Sequence, residues 1–347
     1  MKNVDYIVIG CGLAGIAFCE VLKANHKSFV VFDDNSQQSS KVAVGLYNPV
    51  VLKRFSAVWK AKEQLDIALP NYKQIEAHLN TKIDFPHSIH RRLNSIEEQN
   101  KWFTASDKPN LEPFMSANLK KNTNKFIDAP FGFGEVLNAG RVDTDHLISV
   151  YKDDLRQNDC LIETSFQYDA LQFLDENIIY KEIQSKHIIF AEGFGVKQNP
   201  FFQDIPLNGT KGEVLTIKAP NLKLDEAVKS SVFIIPIGKD LYRVGATYER
   251  TDKTNDPTKE AKEELLQKLK TFIKCDFEVV DHRAGIRPTV KDRRPIIGRH
   301  SDYKNVYILN GLGSRGVMIA PYVSQKLFSL IENNQPIDKE IDVDRFT

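Results

Sequence analysis

Gly10, Gly12 and Gly15 stand in the spacing G-x-G-x-x-G within "DYIVIGCGLAGIAF" (Asp5 to Phe18), and Asp33 follows at the end of "SFVVFDD". Residues of these types at this spacing suit a dinucleotide. Gly10 makes a tight turn, Gly12 lets backbone N–H groups approach a pyrophosphate, and Gly15 lets a helix sit close on a strand; a carboxylate about 20 residues on takes the ribose hydroxyls. Asp34 is the alternate for that last role. Two later arginines, Arg287 in "GIRP" and Arg315 in "GLGSRG", have the chemistry to hold anions. Guanidinium binds a carboxylate bidentately, which suits arginine better than lysine. Pro288 limits Ile286 and Arg287 to an extended course, so the Arg287 side chain can aim into a cleft. Arg315 opens a helix whose N-terminal end carries partial positive charge. The plainer alternatives are an ion pair across a domain interface for Arg287 and a solvated turn for Arg315.

Elements must position these residues. "YIVI" is an apolar, β-branched run, and "IAFCEVLKAN" puts Ile16, Cys19, Val21 and Leu22 on one helical face, which reads as strand, turn, helix. Lys2 followed by the apolar stretch to Cys19 gives a superficial match to a signal peptide, and the three glycines argue against it. "KHIIFAEGFG" (Lys186 to Gly195) is another short strand running into glycines, with Ala191 and Gly193 at the turn. "KNVYILNGLGSRGVMIAPYVSQKLFSLI" (Lys304 to Ile331) is strand, glycine loop and amphipathic helix. Both are expected to return to the nucleotide-binding sheet. Between them, "GEVLTIKA" and "SVFIIPIGKDLYRVGATYER" alternate like antiparallel strands, with Gly238, Lys239 and Asp240 as a hairpin turn. A helix should follow, N-capped by Asp256 with Pro257 in its first position and Leu265, Leu266, Leu269, Phe272 and Ile273 as its apolar stripe. The region from Asn80 to Glu135 scatters aromatic and basic residues through turns and is assigned to the same second domain.

A chain of 347 residues with 41% hydrophobic content can bury a full core and is long enough for two domains. Lys and Arg total 47 against 46 for Asp and Glu, so no global charge draws the protein to nucleic acid or anionic membrane. Cys11, Cys19, Cys160 and Cys275 fit neither a zinc pattern nor a disulfide framework; free thiols and a cytoplasmic location are expected. His87, His90 and His187 lack metal spacing or a nucleophile partner, so no metal is expected.

Four stretches, "VIGCGLAG", "GRVDTDHLI", "GIRPTVKDRRPIIG" and "NGLGSRGVMIAP", make the chain resemble the D-amino-acid oxidase and glycine oxidase superfamily of FAD-dependent oxidoreductases along its whole length. "GLYNPV", "GATYER" and "GLGSRG" are most similar to the FAD domain of the bifunctional enzymes that finish the methylaminomethyl-thiouridine wobble base of tRNA, although 347 residues leave no room for their methyltransferase half. The resemblance implies an α/β fold: a discontinuous Rossmann-type, glutathione-reductase-like FAD-binding domain from residues 1–79, 140–204 and 285–347. A mostly antiparallel β (α+β) substrate domain from 80–139 and 205–284 completes it. It implies non-covalent FAD, since no residue stands out as a covalent anchor. It also implies hydride transfer from the carbon beside an amine to flavin N5, with no side-chain base strictly required.

Under the resemblance, Arg287 matches the arginine that grips a substrate carboxylate in amino-acid-oxidising relatives. Arg315, with the backbone of Gly311, Gly313, Ser314, Gly316 and Val317, would stabilise reduced flavin. "SSKVAVGLYNPV" takes the place of the flavin-contacting loop, which makes Ser40, Gly45 and Tyr47 candidate contacts, with core packing the equal alternative for Tyr47. Tyr248 is the better substrate contact of the two tyrosines, Tyr242 and Tyr248, on strands that would roof the site. The expected partner is a small carboxylated amine; carboxymethylaminomethyl-uridine in tRNA is the runner-up, and a flavin carrier without turnover the third reading. Basic clusters at Leu52 to Lys62, His90 to Arg92 and Lys120 to Lys125 would serve tRNA, or be ordinary charged faces. The electron acceptor is oxygen or another partner, and no membrane span is expected.

Overall fold

In the computed structural model, which describes residues 1–346, strand β1 (Lys2–Ile9) is apolar on both faces. Tyr6 and Val8 join the cluster packed with the helices on one side, while Ile7 and Ile9 join the cluster on the other. Two-sided burial is what a parallel sheet requires. β1 pairs in parallel with β2 (Phe29–Phe32) and with Ile183–Phe190, and Leu161–Ile162 and Val306–Asn310 extend the parallel set at its two sides. Leu171–Phe173, Ile178–Tyr180 and Ile296–Arg299 complete an eight-stranded sheet by antiparallel pairing. Helix α1 (Leu13–Ala24) makes the crossover from β1 to β2, and the helix Gly316–Asn333 lies against it. "KHIIFAEGFG" and "KNVYILNGLG" thus do return to the first sheet.

A seven-stranded sheet holds, in order, Glu278–Val290, Leu207–Lys218, Leu241–Gly245, Phe233–Gly238, Ala227–Lys229, Ile89–Arg92 and Phe133–Val136. Lys239 and Asp240, with φ of 53° and 57°, form the left-handed pair that a tight hairpin needs. Along Leu207–Lys218 the faces alternate: Leu215 and Ile217 pack on Leu265, Leu269 and Phe272, whereas Gly212 and Val214 face a large cavity. The helix Lys259–Lys270 that supplies Leu265 and Leu269 starts later than the sequence suggests and ends before Phe272 and Ile273, which pack from the turn after it. Thr258, not Asp256, is its N-cap, with its side chain accepting from the Ala261 N–H. The Thr258 N–H and hydroxyl donate to the buried Glu213 carboxylate at 2.8 and 2.9 Å, while the Asp256 carbonyl is taken by the Lys211 ammonium.

Residues 80–135 hold strands Asp84–Pro86, Ile89–Arg92 and Phe133–Val136 and the helix Ile96–Ser106, whose Trp102 is fully buried. A helix over Ala61–Leu79 contains Pro70, which disguises it in the sequence. Among the described residues no helix is long and apolar enough to cross a membrane.

Candidate active site

The cavity, about 550 Å³, runs from the C-terminal end of β1 to the inner face of the seven-stranded sheet. At one end the three opening glycines do three different things. Gly10 has φ of 101°, and a Cβ there would stand 2.6 Å from the Ala191 carbonyl oxygen. Gly12 lines the cavity beside Ser40, whose hydroxyl accepts from the Leu13 N–H at 3.2 Å and so holds the start of α1. Gly15 does not line the cavity; its missing Cβ would lie 1.9 Å from the Gly10 oxygen, so it serves close packing of helix on strand.

Asp33 lines the cavity, and its carboxylate accepts from the Cys11 N–H at 2.6 Å. The sequence does not announce its partner. Lys152, with a side chain only 5% exposed, donates to Asp33 at 2.5 Å and to the Asn35 side chain at 2.6 Å. The available signal was a lysine four residues after Ile148 on the buried stripe of the helix Thr144–Gln157. Asp34 also lines the cavity. Burial works to raise its carboxyl, but hydrogen bonds from Ser36 and Ser165 outweigh that and hold it below the ordinary range. Glu192, between Ala191 and Gly193 in the wall, is a second unannounced acid. Burial pushes its carboxyl up to about 7, against hydrogen bonds donated by Asn199 at 2.7 Å and Tyr168 at 2.5 Å.

At the other end Arg287, Arg315 and Tyr248 come together. Gly212 leaves the room that Arg287 occupies: a Cβ on Gly212 would stand 2.1 Å from the guanidinium carbon. The guanidinium donates to the Thr247 carbonyl at 3.3 Å and sits over the Tyr248 ring, 4.9 Å from its centre, and no carboxylate pairs with it among the described residues. Burial pushes the Arg287 pKa down. Burial does the same to Arg315, with Tyr248 opposing and Arg293 adding to it. Tyr248 is 56% exposed and closes one side of the chamber. Gly313, Ser314, Gly316 and Val317 line the chamber at the start of the helix Gly316–Asn333, whereas Gly311 packs against Val290 and Ile296 behind it. Gly45, at φ of 77°, lies against the Val142 carbonyl and lines the wall.

Tyr47 is not part of the cavity wall. Its strand neighbours Leu46 and Asn48 point inward, so Tyr47 points away, and its hydroxyl donates to the buried Asp84 at 2.9 Å. Gly140 makes space for that hydroxyl, which places Tyr47 in the core. Tyr242 is likewise buried in the packing under the second sheet, its hydroxyl accepting from the Leu224 N–H. Of the basic clusters, Lys60 is tied to Asp338, Arg91 to Glu98, Arg92 to Asp128 and Lys120 to Glu135. Lys53 and Arg54 are exposed.

Glycines and a carboxylate at one end of a cavity with arginines at the other are the residue types of a dinucleotide-dependent oxidoreductase. Its residues fit FAD: Gly193 and Gly313, both at positive φ, have nothing within 4 Å of where a Cβ would stand, so bare backbone faces the cavity. A family profile described as FAD dependent oxidoreductase, DAO, matches residues 5–330, and the chain belongs to that family, with FAD as its cofactor. Glycine oxidase of Bacillus subtilis (strain 168) is 27% identical over 44% of this chain and 43% of its own length. The tRNA 5-methylaminomethyl-2-thiouridine biosynthesis bifunctional protein MnmC of Campylobacter jejuni subsp. doylei is 21% identical over 97% of this chain and 56% of its own length. The chain therefore spans about half the length of the curated relatives it matches. The crystal structure of glycine oxidase from Geobacillus kaustophilus shares the fold, with a TM-score of 0.83 at 16% identity over 98% of this chain and 97% of that one.

Proposed function

We propose that the protein oxidises the carbon–nitrogen bond of a carboxylated amine, an amino acid or N-substituted glycine, to an imine that water then hydrolyses. The observation that carries this reading is Arg287: a guanidinium without a carboxylate partner, in the same cavity as the nucleotide cradle. When bound, FAD supplies the hydride acceptor. Arg287 binds the substrate carboxylate through two parallel N–H donors and so fixes where the neighbouring carbon lies. Tyr248 covers the chamber, and Arg315 with the N-terminus of the helix Gly316–Asn333 supplies fixed positive potential. Among the described residues the acids that line the cavity, Asp33, Asp34 and Glu192, stand at its nucleotide end, and no side-chain base is strictly required, because the amine can give up its proton to solvent on binding. Either oxygen or a partner protein takes the electrons onward. Anaerobic mixing with glycine, sarcosine, D-alanine and D-proline tests the reading: at least one should bleach the flavin, and bleaching by none would overturn it.

A second reading, removal of the carboxymethyl group from carboxymethylaminomethyl-uridine in tRNA, draws on the match to MnmC along nearly the whole chain. It predicts reduction by tRNA that weakens steeply with salt, because phosphate contacts release counterions.

A further inference from the structure

The substrate end of the cavity carries one more cation than a single carboxylate and the flavin require. Lys229, at the end of the strand Ala227–Lys229, lines the same wall as Arg287 and Arg315. Its ammonium lies 4.8 Å from the centre of the Phe233 ring and donates to the Ser231 carbonyl at 3.3 Å. Among the described residues no carboxylate pairs with it. The nearby cations are already matched, Arg91 by Glu98 and Lys268 by Glu264. Burial first, then Arg91 and Lys268, push the Lys229 ammonium down to about 8, as befits a cation with no anion beside it.

Strand register fixes how far apart the two anion holders stand. Lys229, Phe233, Gly245 and Val214 form one cross-strand row, and all four line the cavity. Arg287 lies over Gly212, two residues along the strand from the end of that row. Two strand spacings and two residues of rise separate Phe233 from Gly212, and Lys229 stands one spacing beyond Phe233 with its ammonium over that ring, so the anchors are on the order of 12 Å apart. The floor between them is Phe233, Gly245 and Val214, which is apolar and offers no competing polar group.

We propose that Lys229 is a specificity-determining residue that binds a second carboxylate, so that the substrate is a dianionic N-carboxymethyl amine whose nitrogen substituent crosses the apolar floor to a distal carboxylate. This rests on the carboxylated-amine reading and narrows it to a substrate class. Arg287 takes the carboxylate next to the reacting carbon, Arg315 faces the cofactor, and Lys229 takes the distal group.

The test is anaerobic flavin reduction by the holoenzyme with N-carboxymethyl-6-aminohexanoate, whose carboxyl carbons reach about 10 Å apart when extended, and with its neutral terminal amide. Wild type should bind the dicarboxylate at least about tenfold more tightly than the amide, the effect expected of a charge-assisted hydrogen bond. Lys229→Gln should erase that difference and leave the amide unchanged, and Lys229→Arg should restore it. Lys229→Glu should prefer the analogue ending in an ammonium group. Equal binding of dicarboxylate and amide by wild type would overturn the proposal. So would an equal loss on both ligands in Lys229→Gln, or a loss confined to tRNA reduction. Sarcosine separates this from the reading beneath it. If sarcosine reduces the flavin and the distal carboxylate adds nothing, only the dianion assignment falls; if no carboxylated amine reduces it, the oxidase reading falls as well.

Discussion

Replacing Gly212 by alanine puts a methyl carbon where the Arg287 guanidinium now lies. Such a carbon would stand 1.8 Å from one terminal nitrogen, 2.1 Å from the central carbon and 2.2 Å from the other nitrogen. Ordinary contact needs about 3.5 Å, so the guanidinium must retreat by about 1.5 Å. The flexible end of an arginine can do this cheaply, and alanine favours a strand interior over glycine by about 0.5 to 1 kcal/mol, so the unfolding midpoint should hold or rise slightly. Binding should suffer, because a donor moved that far from a carboxylate oxygen is beyond hydrogen-bond reach. A charged hydrogen bond contributes about 2 to 3 kcal/mol, which predicts roughly a thirty- to hundredfold loss in flavin reduction at low substrate. The assay is anaerobic stopped-flow reduction with thermal unfolding and FAD content measured alongside. Gly212→Ala should add nothing to Arg287→Ala, since both remove one interaction. Wild-type reduction by Gly212→Ala, or additive losses in the double variant, would refute the placement of the carboxylate.

Gly12→Val should yield apo-protein, because the side chain enters the floor beside Ser40 where the pyrophosphate must approach; full FAD occupancy would contradict the cradle. Lys152→Met strips a partly buried carboxylate, Asp33, of its counter-charge and should lower unfolding free energy by about 2 kcal/mol and weaken FAD binding; an unchanged urea midpoint would count against it. Glu192 has a folded pKa raised from 4.5 to about 7, so the native state holds its proton more tightly than the unfolded chain. Its contribution to stability is therefore present below about pH 4.5 and lost as pH rises through 7, a span of about 3 kcal/mol. Glu192→Gln should flatten that decline in pH-dependent unfolding, and parallel curves for the two proteins would refute it.

The strand–turn–helix opening was legible because each glycine answers to a local demand: a positive φ at Gly10, a close helix at Gly15. The hairpin at Lys239 and Asp240 was legible for the same reason. Tyr47 was not, because a two-residue strand gives no periodicity to say which face turns inward. The Ala61–Leu79 helix hides behind Pro70, and Thr258 displaces Asp256 as the cap only because Glu213, far away in sequence, meets its hydroxyl and N–H. Lys152, Glu192 and Lys229 were missed for a shared cause. Their importance lies in burial and in partners brought by tertiary structure, and a lone charged residue in a sequence carries no mark of either. Arg287 could be singled out by type and by Pro288, but the glycine that seats it sits 75 residues earlier.

The central claim, that Arg287 holds the carboxylate of the amine being oxidised, is tested most directly by anaerobic reduction of wild type and Arg287→Ala holoenzyme with a carboxylated amine and with the same amine lacking its carboxylate. Removing the guanidinium and removing the carboxylate should each cost about 2 to 4 kcal/mol, roughly a hundredfold at low substrate, and together little more than either alone. Full-rate reduction of Arg287→Ala by the carboxylated amine, with its FAD spectrum intact, would contradict the account.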